Sequence, residues 1–181
     1  MEKNLKKNYK QVGTISLVDT DNCPTIDVMV SDPCYDSGNR FSRVIEVLSG
    51  NYNCFINKKR FNEWGVRVRS MAILHSDFEV DFLNDREIFM GCVAVDSGTM
   101  SICDCAYYDK YHIDNDDQAE LNEDWYNKNV CAWACRKNYH IADKLGFISS
   151  TGFGDGMYQV FAYKHKGVAV GVEVVFIGLD E

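Results

Sequence analysis

The sequence predicts a mainly β (α+β) fold, either an antiparallel β-sandwich or a partly closed barrel, with one helix packed near residues 125–144. Short β-branched or alternating segments recur along the whole chain, whereas helix-like spacing is confined to one region. The 181 residues match one ordinary domain, which buries roughly 70% of its unfolded surface. No linker-like composition or repeat interrupts the chain, so residues 1–181 are predicted to form a single domain.

Five segments predict strands in the N-terminal half, because their apolar residues are β-branched or alternate with polar ones. They are Gly13–Asp19, Thr25–Val30, Val44–Leu48, Tyr52–Ile56 and Trp64–Leu74. The second ends before Pro33, whose ring disfavours helix at the preceding residue. The residues Ser49, Gly50 and Asn51 predict a tight turn that joins the third and fourth segments as a hairpin.

Four further segments predict strands in the C-terminal half: Phe89–Val95, Met100–Tyr107, Met157–Tyr163 and Val168–Ile177. The last two flank a Lys-His-Lys-Gly turn and form the clearest hairpin of the sequence. Helix spacing appears only within residues 125–144, at Val130, Trp133, Ala134 and Lys137. Asp124 and Gly146 are the predicted start and end signals of that helix.

The charge of the chain argues against a nucleic-acid partner. The net charge is −8 with an isoelectric point near 5.0, and phosphate contacts need clustered Lys and Arg. The basic residues that do cluster are predicted to form a solvated face; they are Lys58, Lys59, Arg60, Arg67 and Arg69. No run approaches the roughly 20 apolar residues of a membrane helix, and the charged start does not resemble a secretory signal. We therefore expect a cytoplasmic protein with no membrane partner.

Eight cysteines occur, but no C-x-x-C pair. Their simplest interpretation is that they are reduced, small and buried, and a metal site built from distant cysteines is the alternative. Cys103 and Cys105 are two residues apart, which places both on one face of a strand. No metal site or cofactor is predicted.

Three turns each carry an aspartate at the end of an apolar strand: Asp32, Asp96 and Asp155. Such a carboxylate can simply accept hydrogen bonds from its own turn. Alternatively, the three turns converge into an acidic cleft, with Tyr35 and Tyr158 among its aromatic walls. A cleft of this kind can hold a cationic or hydroxyl-rich ligand, a divalent ion, or a group for acid–base catalysis.

Known catalytic and binding motifs match only in part. Asp96, Ser97 and Gly98 look like the D-S/T-G motif of aspartic proteases, but the chain has one copy, and that chemistry needs two aspartates that share a proton. The segment Gly152–Gly156 precedes a strand and lacks the residues of a phosphate loop. The four histidines show no metal-binding spacing, and a cysteine nucleophile with His140 stays open.

Two segments together carry a resemblance. Residues 93–99 contain V-D-x-G-T, and residues 151–158 contain T-G-x-G-D-G-x-Y before a valine-rich hairpin. Over residues 89–177 the chain resembles a bacterial domain-of-unknown-function family that carries both motifs in this order. The resemblance groups Asp96 with Asp155 and implies no reaction.

The favoured hypothesis is a non-enzymatic binding module that takes a small ligand or a protein partner in the acidic, tyrosine-lined cleft. One alternative is a hydrolase that uses the same aspartates, with or without a divalent metal. Another is an immunity or anti-defence protein that acts through its acidic surface. The sequence leaves open whether the chain is an enzyme, and a homo-oligomer is compatible with it.

Overall fold

The computed structural model describes residues 9–18, 21–35, 40–79, 88–106, 138–142 and 146–178. In these residues the chain forms eleven β-strands that join into one sheet, so the fold is mainly β. The strands are β1 Tyr9–Leu17, β2 Thr25–Ser31, β3 Arg43–Leu48, β4 Gly50–Phe61, β5 Gly65–His75, β6 Ile88–Val95, β7 Thr99–Asp104, β8 Tyr139–Ala142, β9 Gly146–Ser150, β10 Gly156–His165 and β11 Val168–Val175.

The sheet curls into a nearly closed barrel. Its order is β1-β4-β5-β11-β3-β2-β7-β9-β8, and β10 adds to β11 and carries β6 on its other edge. The pairs are antiparallel except for the single parallel contact between Ala169 and Val47. The two ends of the order approach each other, because a Cβ at Gly13 of β1 would lie 3.0 Å from Cγ1 of Ile141 in β8. The partly closed barrel predicted from the sequence is therefore confirmed.

The core forms because apolar residues alternate along the strands and so share one face. In β4, for example, Tyr52, Cys54 and Ile56 are buried at every second position. The same period in the other strands adds a large set of Val, Ile, Leu and Met to one continuous cluster. A smaller cluster, Ala72, Leu74, Tyr163 and Val170, packs on the opposite face of the sheet.

The C-terminal hairpin predicted from the sequence is confirmed. Strands β10 and β11 pair antiparallel from Gln159 with Val175 to His165 with Val168. The two residues between them, Lys166 and Gly167, both have positive φ, 50° and 88°. Two-residue hairpin turns whose twist matches the strands need positive φ at both positions, which glycine supplies without strain.

The predicted hairpin between Val44–Leu48 and Tyr52–Ile56 is wrong, although both segments are strands. β3 pairs with β2 and β11, whereas β4 pairs with β1 and β5. The chain turns a corner at Ser49 and Gly50 and enters another part of the sheet. Glycine allows this corner, because a Cβ at Gly50 would collide with the ring of the buried His75.

The predicted helix near residues 125–144 lies mostly outside the described residues. Where the structure describes it, Tyr139–Ala142 forms β8, which pairs with β9, so the helix prediction is wrong at that end. Gly146 begins a strand rather than ending a helix. Tyr139 and Ile141 pack against the main core at period-two spacing, and this packing decides the local conformation.

The six cysteines that the structure describes differ in burial, so for them the expectation of burial holds only in part. Cys54 and Cys103 are buried, and the half-buried Cys105 packs beside Cys103 and Met29, although it lies just after the end of β7 and not within the strand as predicted. Cys23 and Cys34 are exposed instead, because both lie in the connections outside the strands. Among the described residues, no helix has the length and hydropathy needed to cross a membrane.

Candidate functional site

Asp32 joins two of the three aspartate turns. It follows β2 directly, and its residue is 1% exposed. Its Oδ1 accepts hydrogen bonds from the backbone N–H of Cys34 at 2.9 Å and from Oγ of Ser97 at 2.7 Å. Its Oδ2 accepts from the backbone N–H groups of Asp96 at 3.0 Å and Ser97 at 2.9 Å. Of the two roles predicted for Asp32, bonding its own turn or facing a cleft, the bond from Cys34 matches the first, and the three bonds from Asp96 and Ser97 also hold the turn after β6.

Tyr35 and Asp96 form a second connection between the same two turns. The hydrogen bond to the Asp96 carboxylate is the largest effect that raises the pKa of the Tyr35 hydroxyl, to about 12. Desolvation and the negative charges of Asp96, Asp32 and Cys34 add to the shift. Asp96 itself is exposed. The pair therefore lies at the solvent edge, above the buried Asp32.

The third turn reaches the same end of the sheet. The backbone N–H of Thr151 donates to the carbonyl oxygen of Gly98 at 3.0 Å, and a Cβ at Gly98 would lie 3.7 Å from Cα of Gly154. Gly156 of β10 pairs with Val95 of β6. Asp155 precedes this pair and Asp96 follows it, so both exposed aspartates leave the sheet at one antiparallel strand end.

Tyr158 supports the third turn from beneath and is not a cleft wall. It is 7% exposed, its ring packs edge-to-face on Phe176 at 5.2 Å, and its hydroxyl bonds the carbonyl oxygens of Thr151 and Gly154. Desolvation raises the pKa of this hydroxyl, the bond to Thr151 opposes the shift, and the charge of Asp155 adds to it. The predicted role of Tyr158 in lining a cleft does not match this burial.

A groove of about 490 Å³ opens beside these turns. We call it the aromatic groove. It is lined by Trp64, Val66, Arg67, Val68, Gly98, Asn138, Ser150, Thr151, Gly152, Phe153 and Gly154. None of the five candidates Asp32, Asp96, Asp155, Tyr35 and Tyr158 is among these lining residues. The groove is therefore aromatic and weakly basic rather than acidic and tyrosine-lined.

Two exposed aromatic side chains form one side of the aromatic groove. Trp64 is 59% exposed and Phe153 is 50% exposed, and their rings meet edge-to-face at 6.0 Å. Phe61 backs Phe153 at 5.1 Å. Trp64 comes from the turn between β4 and β5, and Phe153 from the glycine turn before β10. Large apolar rings that a fold leaves open in a concavity are a common sign of a binding surface.

Gly152 allows the glycine turn to lie against β5. Its φ is +69°, and a Cβ at this position would lie 2.8 Å from the carbonyl oxygen of Val68. An L side chain is disfavoured by the backbone conformation and would also collide with the strand. The floor of the aromatic groove depends on this close approach.

The basic residues of β4 and β5 do not form the uniform solvated face that the sequence predicts. Lys58 and Arg60 are exposed, but Arg69 is buried and donates to the carbonyl oxygens of Ile177 at 3.2 Å and Gly178 at 2.6 Å. The register shifts between Asn57, paired with Ser70, and Lys58, paired with Val68, so Arg69 is the extra residue of a bulge. A bulge re-aims a side chain, which explains why Arg69 turns inward.

Sequence reasoning missed Trp64 and Arg67 as site residues. The available signal for Trp64 was a large aromatic residue in a hairpin turn, where neighbouring strands do not cover its side chain. Phe153 was noted only as part of a glycine-rich turn. The described residues also gather no group of three or more His, Cys, Asp or Glu side chains that could hold a metal ion.

Scans against protein-family models, curated proteins and solved structures found no match to this chain. The resemblance over residues 89–177 therefore stays a prediction.

Proposed function

We propose that this chain is a non-enzymatic binding module that receives a small ligand in the aromatic groove. The observation that carries the proposal is the open edge-to-face pair of Trp64 and Phe153 in a concavity of about 490 Å³. Ligand sites commonly have volumes of about 300–1,000 Å³, apolar or aromatic walls, and a few fixed polar groups. Asn138 and Ser150, which line the aromatic groove, carry such groups here.

The network beneath the aromatic groove supports a preformed site. Asp32 holds the Asp96–Thr99 turn, Gly98 of that turn accepts from Thr151, and Tyr158 bonds the turn that carries Phe153. The first two links join different turns, and the third joins Tyr158 of β10 to the turn that precedes this strand. Rigid walls reduce the entropy lost when a ligand is ordered, so this arrangement favours binding.

The surroundings of the three aspartates favour a binding function over a hydrolase. Asp32 is engaged by four protein donors, which leaves Asp96 and Asp155 for the hydrolase hypothesis. Both are exposed, and no described group of three ligand-type side chains surrounds them. We therefore propose that Asp32 holds the turns in place, that the exposed Asp96 and Asp155 keep this end of the barrel in contact with water, and that the ligand binds in the aromatic groove. The buried thiols Cys54 and Cys103 support a reducing, cytoplasmic location.

A thermal-shift screen of a small-molecule library, followed by calorimetry on the hits, tests the proposal. We expect hits whose affinity falls at least about tenfold in Trp64→Ala or Phe153→Ala, as expected for aromatic anchors. Phe89→Ala is the matched control, because Phe89 is 56% exposed at the far end of β6. Hits that bind Trp64→Ala as well as the native chain would contradict the proposal.

Recovery of the bound compound separates a binding module from a hydrolase. A hit incubated with the protein and analysed by mass spectrometry should return unchanged. Conversion of the compound, with loss of turnover in Asp96→Asn but not in Asp27→Asn, would favour the hydrolase. Asp27 is an exposed aspartate of β2 and provides the control for the loss of one negative charge.

A further inference from the structure

The aromatic groove contains one charged lining residue among those that the structure describes, Arg67. Its guanidinium makes one long hydrogen bond, 3.5 Å to the carbonyl oxygen of Val66, and no described carboxylate pairs with it. Arginine carries five donors in a planar fork that suits carboxylate and phosphate groups. In a chain of net charge −8, an arginine inside a concavity that has no acidic partner among the described residues points to an external anion.

A second cation strengthens this electrostatic argument. Lys59 of β4 pairs directly with Arg67 of β5 across the ladder. Like charges at directly opposite positions destabilise a sheet. The ammonium of Lys59 lies over the ring of Phe61 at 5.0 Å, and this attraction offsets part of the repulsion between the two cations. An anion bound at Arg67 would offset more of it, so this pair of cations favours a negatively charged ligand.

The remaining walls define the body of the ligand. Trp64 and Phe153 present ring surface beside Arg67, while Gly152 and Gly154 of the glycine turn present backbone without side chains. Flat rings stack on such aromatic surfaces in offset or edge-to-face geometry. A ring placed there leaves an attached acidic group within the part of the groove that Arg67 lines.

We infer that the ligand of the aromatic groove is a planar aromatic anion, with its ring on Trp64 and Phe153 and its carboxylate or phosphate on Arg67. This inference rests on the proposed function, because it names the ligand class of the same groove. A carboxylate and a phosphate both offer paired acceptor oxygens that the guanidinium fork recognises. Matched carboxylate and phosphate compounds distinguish the two sources of charge.

Calorimetry with matched compounds tests the inference. One pair is indole-3-acetate and its neutral amide, and the other is adenosine monophosphate and adenosine. We expect the anionic member of at least one pair to bind at least about tenfold more tightly than the neutral member, as a charge-assisted hydrogen bond predicts. The pair that shows the preference identifies the carboxylate or the phosphate as the source of charge.

Variants assign the preference to Arg67. Arg67→Gln should remove the preference for the anion while the neutral compound keeps its affinity, and Arg67→Lys should restore it in part. Arg60→Gln is the matched control, because Arg60 is exposed on β4 and does not line the aromatic groove. Circular dichroism of each variant confirms that the sheet is retained.

The outcomes separate this inference from the proposed function. If neutral or cationic compounds bind as tightly as the anions, or if Arg67→Gln keeps the preference, the inference is overturned. Binding of library hits that still depends on Trp64 then leaves the proposed function intact. If no anion of either pair binds, the inference is likewise overturned, and the library screen alone decides whether the aromatic groove binds a ligand.

Discussion

Asp32 binds Ser97 through both of its carboxylate oxygens. Oδ2 accepts from the Ser97 backbone N–H at 2.9 Å and Oδ1 accepts from Ser97 Oγ at 2.7 Å, across 65 residues of sequence. A serine hydroxyl has one proton, so Thr99 Oγ1, at 2.6 Å from Ser97 Oγ, is the donor of that contact. The direction of these bonds is therefore fixed from Thr99 through Ser97 to Asp32, which orders the turn that carries Gly98.

Asp32→Asn should destabilise the fold and weaken binding in the aromatic groove. The asparagine NH₂ cannot accept a hydrogen bond, so the two donors that now bond one of the carboxylate oxygens lose their acceptor. We expect a loss of about 3 kcal/mol in the free energy of unfolding, typical of a disrupted buried charged hydrogen bond. Urea unfolding measures this change. Asp27→Asn, the same substitution at an exposed site of β2, should stay within about 0.5 kcal/mol.

Gly152→Ala tests the close approach of the glycine turn to β5. Gly65 is the matched control, because it has the same φ of +69° but a Cβ added there would meet no atom within 4 Å. Gly65→Ala should cost about 1–2 kcal/mol of unfolding free energy through backbone conformation alone. Gly152→Ala should cost clearly more, since the new Cβ also meets the Val68 carbonyl oxygen. Equal losses in the two variants would show that the turn moves away without penalty.

Glu173 is the buried acid of the opposite face. Its residue is 0% exposed, and its carboxylate accepts from the hydroxyls of Tyr9 and Tyr163. Its neighbours in β11, Val172 and Val174, belong to the main core, so the side chain of Glu173 points to the other side of the sheet. This contact ties β1 and β10 to β11.

Glu173→Gln should lower the free energy of unfolding by about 2 kcal/mol, because the charge-assisted hydrogen bonds to the carboxylate are replaced by weaker neutral ones and one hydroxyl must change from donor to acceptor. Glu46→Gln is the control, since Glu46 accepts one exposed hydrogen bond from Thr25. A double-mutant cycle with Tyr163→Phe measures the coupling. Strictly additive losses for Glu173→Gln and Tyr163→Phe would show that the two side chains do not stabilise each other.

Local pattern was enough to predict most strands but not how they pair. The alternation of Tyr52, Cys54 and Ile56 marks β4 within the sequence, and the turn before Val168 marks the last hairpin. Nothing within Val44–Leu48 encodes that its neighbours are β2 and β11, because pairing depends on which strands from distant parts of the sequence have an unpaired edge nearby. A short loop therefore suggested a hairpin where the chain turns a corner.

In the site, likewise, contacts within one turn could be predicted from the sequence, whereas contacts between turns could not. A bond from Cys34 N–H to Asp32 lies within one turn and follows from the strand-end position of the aspartate. The bonds to Ser97 depend on how β2, β6 and β7 are arranged, which local sequence does not determine. Trp64 and Phe153 meet because the start of β5 and the turn before β10 reach one end of the barrel. Their sequence separation hides that contact.

The pair of Tyr35 and Asp96 predicts a specific dependence on pH. Folding raises the pKa of Tyr35 from 10.0 to about 12, chiefly through its hydrogen bond to Asp96. A group whose pKa rises on folding stabilises the protein below its unfolded pKa, and this contribution disappears as pH passes the folded value. The stability difference between the native chain and Tyr35→Phe should therefore be constant below pH 10.0 and shrink toward pH 12.

Asp96→Asn should move the pKa of Tyr35 back toward 10.0, because the negative charge is lost and the amide oxygen of asparagine is a weaker, neutral acceptor. Tyrosinate absorbance, taken as the difference between each chain and its Tyr35→Phe partner, follows this single hydroxyl. Asp155→Asn is the matched control, since Asp155 is not among the groups that shift Tyr35. A Tyr35 titration that is unchanged in Asp96→Asn would show that the two turns are not joined through this pair, whereas the bonds of Asp32 would still connect them.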